Sequence, residues 1–93
     1  MERNREEFYA SLREQLIQQT EWPTVYMFKF IVPAKNKTLA RVMELFGPNA
    51  EVSTRNSSKG SYISITAREV MIDADQIIEV YQRAESIDGI ISL

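Results

Sequence analysis

Cysteine and histidine are both absent from this chain. Without cysteine there is no disulfide and no thiol nucleophile, which fits a reducing compartment. Without histidine the chain lacks the side chain that most often serves as general base and metal ligand near neutral pH. Glycine and proline are scarce, at 3 each among 93 residues, so each one marks a local event. Tryptophan occurs once, as Trp22, and a lone tryptophan is more often a core anchor than a ligand platform. No apolar run approaches the ~20 residues that a membrane span requires. The first residues, Met1-Glu2-Arg3-Asn4-Arg5-Glu6-Glu7, are charged where a secretory signal would be apolar. Neither sign of charge dominates: 11 Lys and Arg stand against 13 Asp and Glu, a formal net charge of −2. That balance argues against nucleic acid as the default partner. The expectation is a soluble cytoplasmic protein with neither a membrane nor a nucleic-acid partner.

What the chain does have is apolar content, 44% of it, arranged with clear periodicity. A chain of this length forms one domain and buries about 60–68% of the surface its unfolded form exposes. Phe8, Leu12 and Leu16, with Tyr9 and Ile17 beside them, make an apolar stripe at helical spacing, which predicts a helix from Arg5 to Gln19. Asn4 and Glu7 have the spacing of a capping box at its start. Trp22-Pro23 ends it, because the residue before a proline avoids helical angles.

Thr24 to Val32 is almost continuously apolar, β-branched or aromatic, the pattern of a central strand. Its alternate sets are Tyr26, Phe28, Phe30 and Val32 on one side, and Val25, Met27, Lys29 and Ile31 on the other. Leu39, Val42, Met43 and Phe46 predict a helix over 38–46, stopped by Gly47-Pro48. Two β-prone runs between Ala50 and Arg68 flank Ser57-Ser58-Lys59-Gly60, a hairpin turn in which Gly60 takes a positive φ. Asp73 and Gln76 form the clearest capping box in the chain, with Ile72 and Ile77 at the staple positions. Ile77, Val80, Tyr81 and Ala84 give that helix its buried stripe, and Asp88-Gly89 turns into a last strand over Ile90–Leu93.

The order is helix, then strand-helix-strand-strand-helix-strand. The last six elements spell the split βαβ, so the predicted class is α+β: a ferredoxin-like βαββαβ fold with an extra N-terminal helix and a four-stranded antiparallel sheet. Residues 1–20 form the added helix and residues 21–93 the domain. Right-handed crossovers place the first and third strands centrally and both domain helices on one face. The expected core is Phe28, Phe30, Leu39, Val42, Phe46, Ile63, Ile65, Ile77, Val80, Tyr81 and Ile91.

The run from Asn56 to Tyr62, followed by Ser64-Ile65-Thr66, resembles the hairpin of the YbeD-like family of small uncharacterised bacterial proteins. Pro23-Thr24 before the first strand and Lys29 within it match the same pattern, and the resemblance runs from Trp22 to Leu93. It implies an ACT-like ferredoxin fold and a regulatory role, and it implies no catalytic residues. ACT domains that bind amino acids usually carry a glycine in the turn after the first strand. Here that turn is Pro33-Ala34-Lys35-Asn36-Lys37, without one, which disfavours close backbone approach by a ligand.

Two groups of residues have the chemistry to meet an anion. Ser57, Ser58 and Lys59 offer hydroxyls, turn amides and a cation, or they are a solvated hairpin tip whose residues serve turn geometry. Lys35 and Lys37 stand at a helix start, where an anion is favoured, or they belong to a solvated loop. The paired carboxylates Glu6-Glu7 and Asp73/Asp75 fall in helix first turns, where negative charge is favourable without any chemistry. Phe8, Leu12 and Leu16 on the first helix, and Val25, Met27, Ile31 and Tyr62 on the outer side of the sheet, are two apolar sets without an assigned cover. They form the expected interaction surface, with the first helix lying over the sheet of its own chain or of a second copy in a homodimer.

The expected function is a small non-catalytic regulatory or protein-interaction module with an unidentified protein partner. The alternative is an ACT-type domain that senses an amino acid or an anionic metabolite. No residue set calls for a cofactor or a metal. An RNA-binding domain of this strand order would expose several aromatics on its central strands, and only Tyr62 is so placed. An acylphosphatase would carry an arginine-containing phosphate loop at the first turn, which this chain lacks.

Overall fold

In the computed structural model, which describes residues 2–93, the chain forms α1 (Glu2–Gln19), β1 (Thr24–Pro33), α2 (Asn36–Met43), β2 (Glu51–Asn56), β3 (Tyr62–Met71), α3 (Ala74–Ala84) and β4 (Ile91–Ser92). Met1, the first residue of the charged N-terminal stretch, lies outside the described residues. The strands make one four-stranded antiparallel sheet in the order β2-β3-β1-β4. The protein is therefore α+β, with the ferredoxin-like βαββαβ arrangement and a helix ahead of it.

The alternation along β1 decides which side of the sheet is covered. Phe28, Phe30 and Val32 are fully buried, and across β3 they face Ala67, Ile65 and Ile63 in register. Val42 from α2 and Ile77, Val80 and Ala84 from α3 close over them. The rings of Phe46 and Tyr81 lie 5.4 to 6.3 Å from those of Phe28 and Phe30, which stack on each other at 6.3 Å, and Tyr26 sits 4.7 Å from Phe28. The tilted and edge-on contacts of Tyr26, Phe46 and Tyr81 suit aromatic quadrupoles. The hydroxyls of Tyr26 and Tyr81 meet at 3.0 Å, so the polar tips of two core aromatics satisfy each other. Burial, and then the Tyr26 hydrogen bond, push the Tyr81 phenol well above its ordinary value and keep it neutral.

Local signals account for the element ends. Asp73 caps α3 by accepting from Gln76 N–H at 3.0 Å, and Gln76 Oε1 accepts from Ile72 N–H at 2.7 Å, a reciprocal capping box. Ile72 remains 64% exposed and adds little to the staple. Gly60 has φ +74°, as its turn requires, and Ser57 N–H bonds to Tyr62 O at 2.9 Å to close the hairpin. α2 ends at Met43, short of the expected Phe46, in a tighter turn held by Leu45 N–H to Val42 O. Gly47 N–H donates to Glu69 Oε2 at 2.8 Å, and Arg83 Nη2 donates to Glu44 O at 3.1 Å, which ties this exit to β3 and α3.

Three expectations are corrected. Asn4 and Glu7 do not cap α1, because the helix is already formed at Glu2. Ile91 does not enter the core: it pairs with Ile31 on the outer side of the sheet and is 51% exposed, while Ile90 packs inward in its place. α1 does not lie over the outer side of the sheet of its own chain. It packs along α3, in the helical layer, with Leu16 against the core. Polar contacts seat it there: Arg13 to Asp75 at 2.6 Å, Arg5 to Glu85 at 3.3 Å, and a hydrogen bond from the Tyr9 hydroxyl to Glu85. Asp75 and Ile78 of α3 and its C-cap residue Glu85 fall on one stripe, so the ion pairs flank Ile78, which is buried beside the main core rather than within it.

Two outcomes test this packing. Phe28→Ala removes the ring at the centre of the aromatic cluster and should cost about 3–5 kcal/mol in urea unfolding. A loss below about 1 kcal/mol would place Phe28 outside the packed interior. Burial and Glu85 push the Tyr9 phenol from 10.0 up to about 12. Above its ordinary value the unfolded chain gives up a proton that the folded chain keeps, so this contribution is complete below pH 10.0 and lost towards about 12. Tyr9→Phe should fall less in stability than the parent across that window. Parallel curves would show that Tyr9 does not hold α1 on α3.

Candidate functional site

β1, β3 and β4 bring three connections to one end of the sheet. Pro33 pairs with Tyr62, so the β2–β3 turn lies beside the β1–α2 loop, and Ala34 N–H bonds to Ser61 O at 3.0 Å. The α3–β4 loop arrives at the same end, where Gly89 with φ +74° lies so close to Pro33 that a Cβ would come within 2.9 Å of its ring. Between these loops opens a cleft of about 370 Å³ lined by Pro33, Lys35, Lys37, Thr38, Arg41, Ile87, Asp88 and Gly89.

Lys35 and Lys37 thus meet in one cleft, and Arg41 joins them from the next turn of α2. Sequence reading passed over Arg41, although its place four residues beyond Lys37 on a helix was the available signal. Lys35 is the N-cap residue of α2 and makes no side-chain cap, and the first turn carries no acidic residue. Asp88 is the carboxylate on the opposite wall. Ser57, Ser58 and Lys59 do not line this cleft. Ser57 serves the turn: its Oγ accepts from Tyr62 N–H at 3.2 Å and its carbonyl accepts from Gly60 N–H at 3.0 Å. Ser58 and Lys59 are exposed at the tip.

The second candidate is the outer side of the sheet. The parity that buries Phe28 and Phe30 turns Val25, Met27, Lys29 and Ile31 outward. Val25 is 65% exposed, Met27 45% and Tyr62 49%. Val70 lies opposite Val25 in register and is 59% exposed, and Ile91 lies opposite Ile31. Val70 was legible in principle, since it shares the parity of Tyr62 along β3. The first-helix set does not join this surface. Phe8 is 62% exposed on α1, Leu12 is half-buried and Leu16 packs on the core from the helical side. The seven apolar residues predicted as one surface therefore lie on opposite sides of the molecule.

The cleft presents three exposed cations, and the sheet presents apolar side chains with cations between them. Among the described residues, no group of three or more Asp and Glu side chains is placed to hold a metal ion. No helix is long and apolar enough to cross a membrane.

A family model described as a protein of unknown function (DUF493) matches residues 18–93. A UPF0250 protein of Shewanella piezotolerans is 30% identical over 74 residues, covering 75% of this chain and 84% of that protein. No solved structure matches the chain significantly. The family match takes in the whole sheet, the capped helix α3 and the hairpin whose residues resemble the YbeD-like pattern. The chain belongs to the DUF493 family, whose members include proteins of the UPF0250 and YbeD type.

Proposed function

We propose that this chain is a non-catalytic, cytoplasmic protein-interaction module of regulatory type, and that it works through the outer face of its sheet. The observation that carries this reading is the exposure of that face's apolar residues, 65% for Val25 and 59% for its cross-strand partner Val70, with α1 seated elsewhere. Several large apolar side chains exposed on one sheet face, with polar residues among and around them, are the kind of surface that favours an interaction site. The absence of cysteine and histidine supports the non-catalytic part of the reading, and the lack of cysteine fits the cytoplasm.

The test is retention of proteins from the native cytoplasm by the full chain and by Val25→Glu/Val70→Glu. Both positions are exposed, so circular dichroism should be unchanged, with the melting temperature lowered modestly because the two carboxylates face each other across the strands. Proteins held by the parent and released by the variant support the reading. The same proteins held equally by both would overturn it.

A second reading is supported by the meeting of Lys35, Lys37 and Arg41 in one cleft: an ACT-type domain that senses a small anionic metabolite. A thermal-shift screen against amino acids and phosphorylated metabolites addresses it. A stabilisation that Lys37→Glu abolishes would favour it, and a flat response across the screen would remove it.

A further inference from the structure

The outer face is patterned along its length. At one end Val25 and Val70 form a direct cross-strand pair, and Met27 adjoins them. At the other end Ile31 pairs with Ile91, near Tyr62. Between the two ends stand Lys29, opposite Thr66, and Arg68, opposite Met27. Arg55, opposite Ser64, flanks them on β2. Among the outward side chains of β1, β2 and β3, the acidic one is Glu51, opposite Arg68. The ion pairs among the described residues engage neither Lys29, Arg55 nor Arg68. The face thus carries an excess of positive charge on a chain whose net charge is −2.

We propose that this face is the docking surface for an acidic amphipathic helix of another protein, with apolar side chains seated on the Val25–Val70 and Ile31–Ile91 pairs and carboxylates over Lys29 and Arg68. This rests on the reading of the outer face as the interaction surface. The spacing sets the length of the occupant. From Val25 to Ile31 is six steps along a strand, or about 20 Å. A helix covers that distance in about 13 residues. The occupant therefore carries apolar residues about four turns apart and acidic residues in the turns between them. A second copy of this chain fits poorly, because a two-fold pairing through this face would set one cationic centre against the other, and like charges in apposition oppose association.

The probe is a display library of random 18-residue peptides panned against the full chain, with binding of enriched peptides measured by fluorescence anisotropy. Enriched sequences should be acidic and amphipathic. Lys29→Glu/Arg68→Glu should weaken them at least tenfold, and so should a rise to high salt, since the pairs formed are at a solvent-accessible surface. Lys29→Gln/Arg68→Gln serves if the charge reversal disturbs folding. Peptides in which Glu is replaced by Lys should bind the reversed variant better than the parent. Neutral or basic enriched peptides, failure to enrich any, or affinity unchanged by the double substitution would each overturn the proposal. So would light scattering that shows the chain dimerising through this face. If cytoplasmic partners are lost on Val25→Glu/Val70→Glu yet held by Lys29→Glu/Arg68→Glu, the face is an interaction surface and the acidic occupant is wrong.

Discussion

The structure depends on the burial of one side of β1. Phe28, Phe30 and Val32 are wholly enclosed, and the rings of Tyr26, Phe46 and Tyr81 crowd around the two phenylalanines. Each buried aromatic removes a large apolar area from water, so no other register of β1 is competitive. A slip by one residue would bury Lys29 and expose both phenylalanines. Once that register is set, β3 must present Ile65 and Ala67 inward, and Tyr62 and Val70 outward. The covered side and the outer side therefore share one cause.

Much of this was legible because period-two alternation is a strong signal over ten residues. The division of β1 into its two sets, the positive φ at Gly60 and the Asp73–Gln76 capping box were each readable from short-range chemistry. What could not be read was set at longer range. Ile91 lies in a strand of two residues, too short to reveal its parity, and only its pairing with Ile31 turns it outward. α2 stops at Met43, and its exit is tied at Gly47 and Glu44 to Glu69 and Arg83, residues far along the chain. Arg41 gained meaning only when the α3–β4 loop supplied the other wall of the cleft.

α1 shows how polar contacts can override an apolar stripe as a guide to placement. Phe8, Leu12 and Leu16 share a helix face, which invited the idea that they cover the sheet. The helix instead lies where Asp75 and Glu85 of α3 meet Arg13, Arg5 and Tyr9. Exposed ion pairs contribute little to stability, yet several of them at fixed spacing select one orientation among weakly differing ones. Arg13 sits well placed for this, since Asp75 holds its guanidinium and is itself held below the usual carboxylate range by it. Leu16 then adds the apolar contact near the end of the helix.

The helices over one face close the core of this chain, and an antiparallel sheet tolerates water on its other face when that face is polar. The outer face here only partly obeys this rule. Along β1, Val25, Met27 and Ile31 stand where polar residues would serve solubility, with Lys29 among them. On β2 the outward positions Glu51, Ser53 and Arg55 do obey it. These departures from the polar pattern run across β1, β3 and β4 and stop at β2, so they are grouped on one part of the face rather than scattered over it. The cations Lys29 and Arg68 keep such a surface soluble while it is free, and charge of one sign also restricts what can cover it. Solubility alone and partner selection together thus ask for the same residues, and they separate only in the sign: either sign would keep the face soluble, whereas a cationic face favours an acidic occupant.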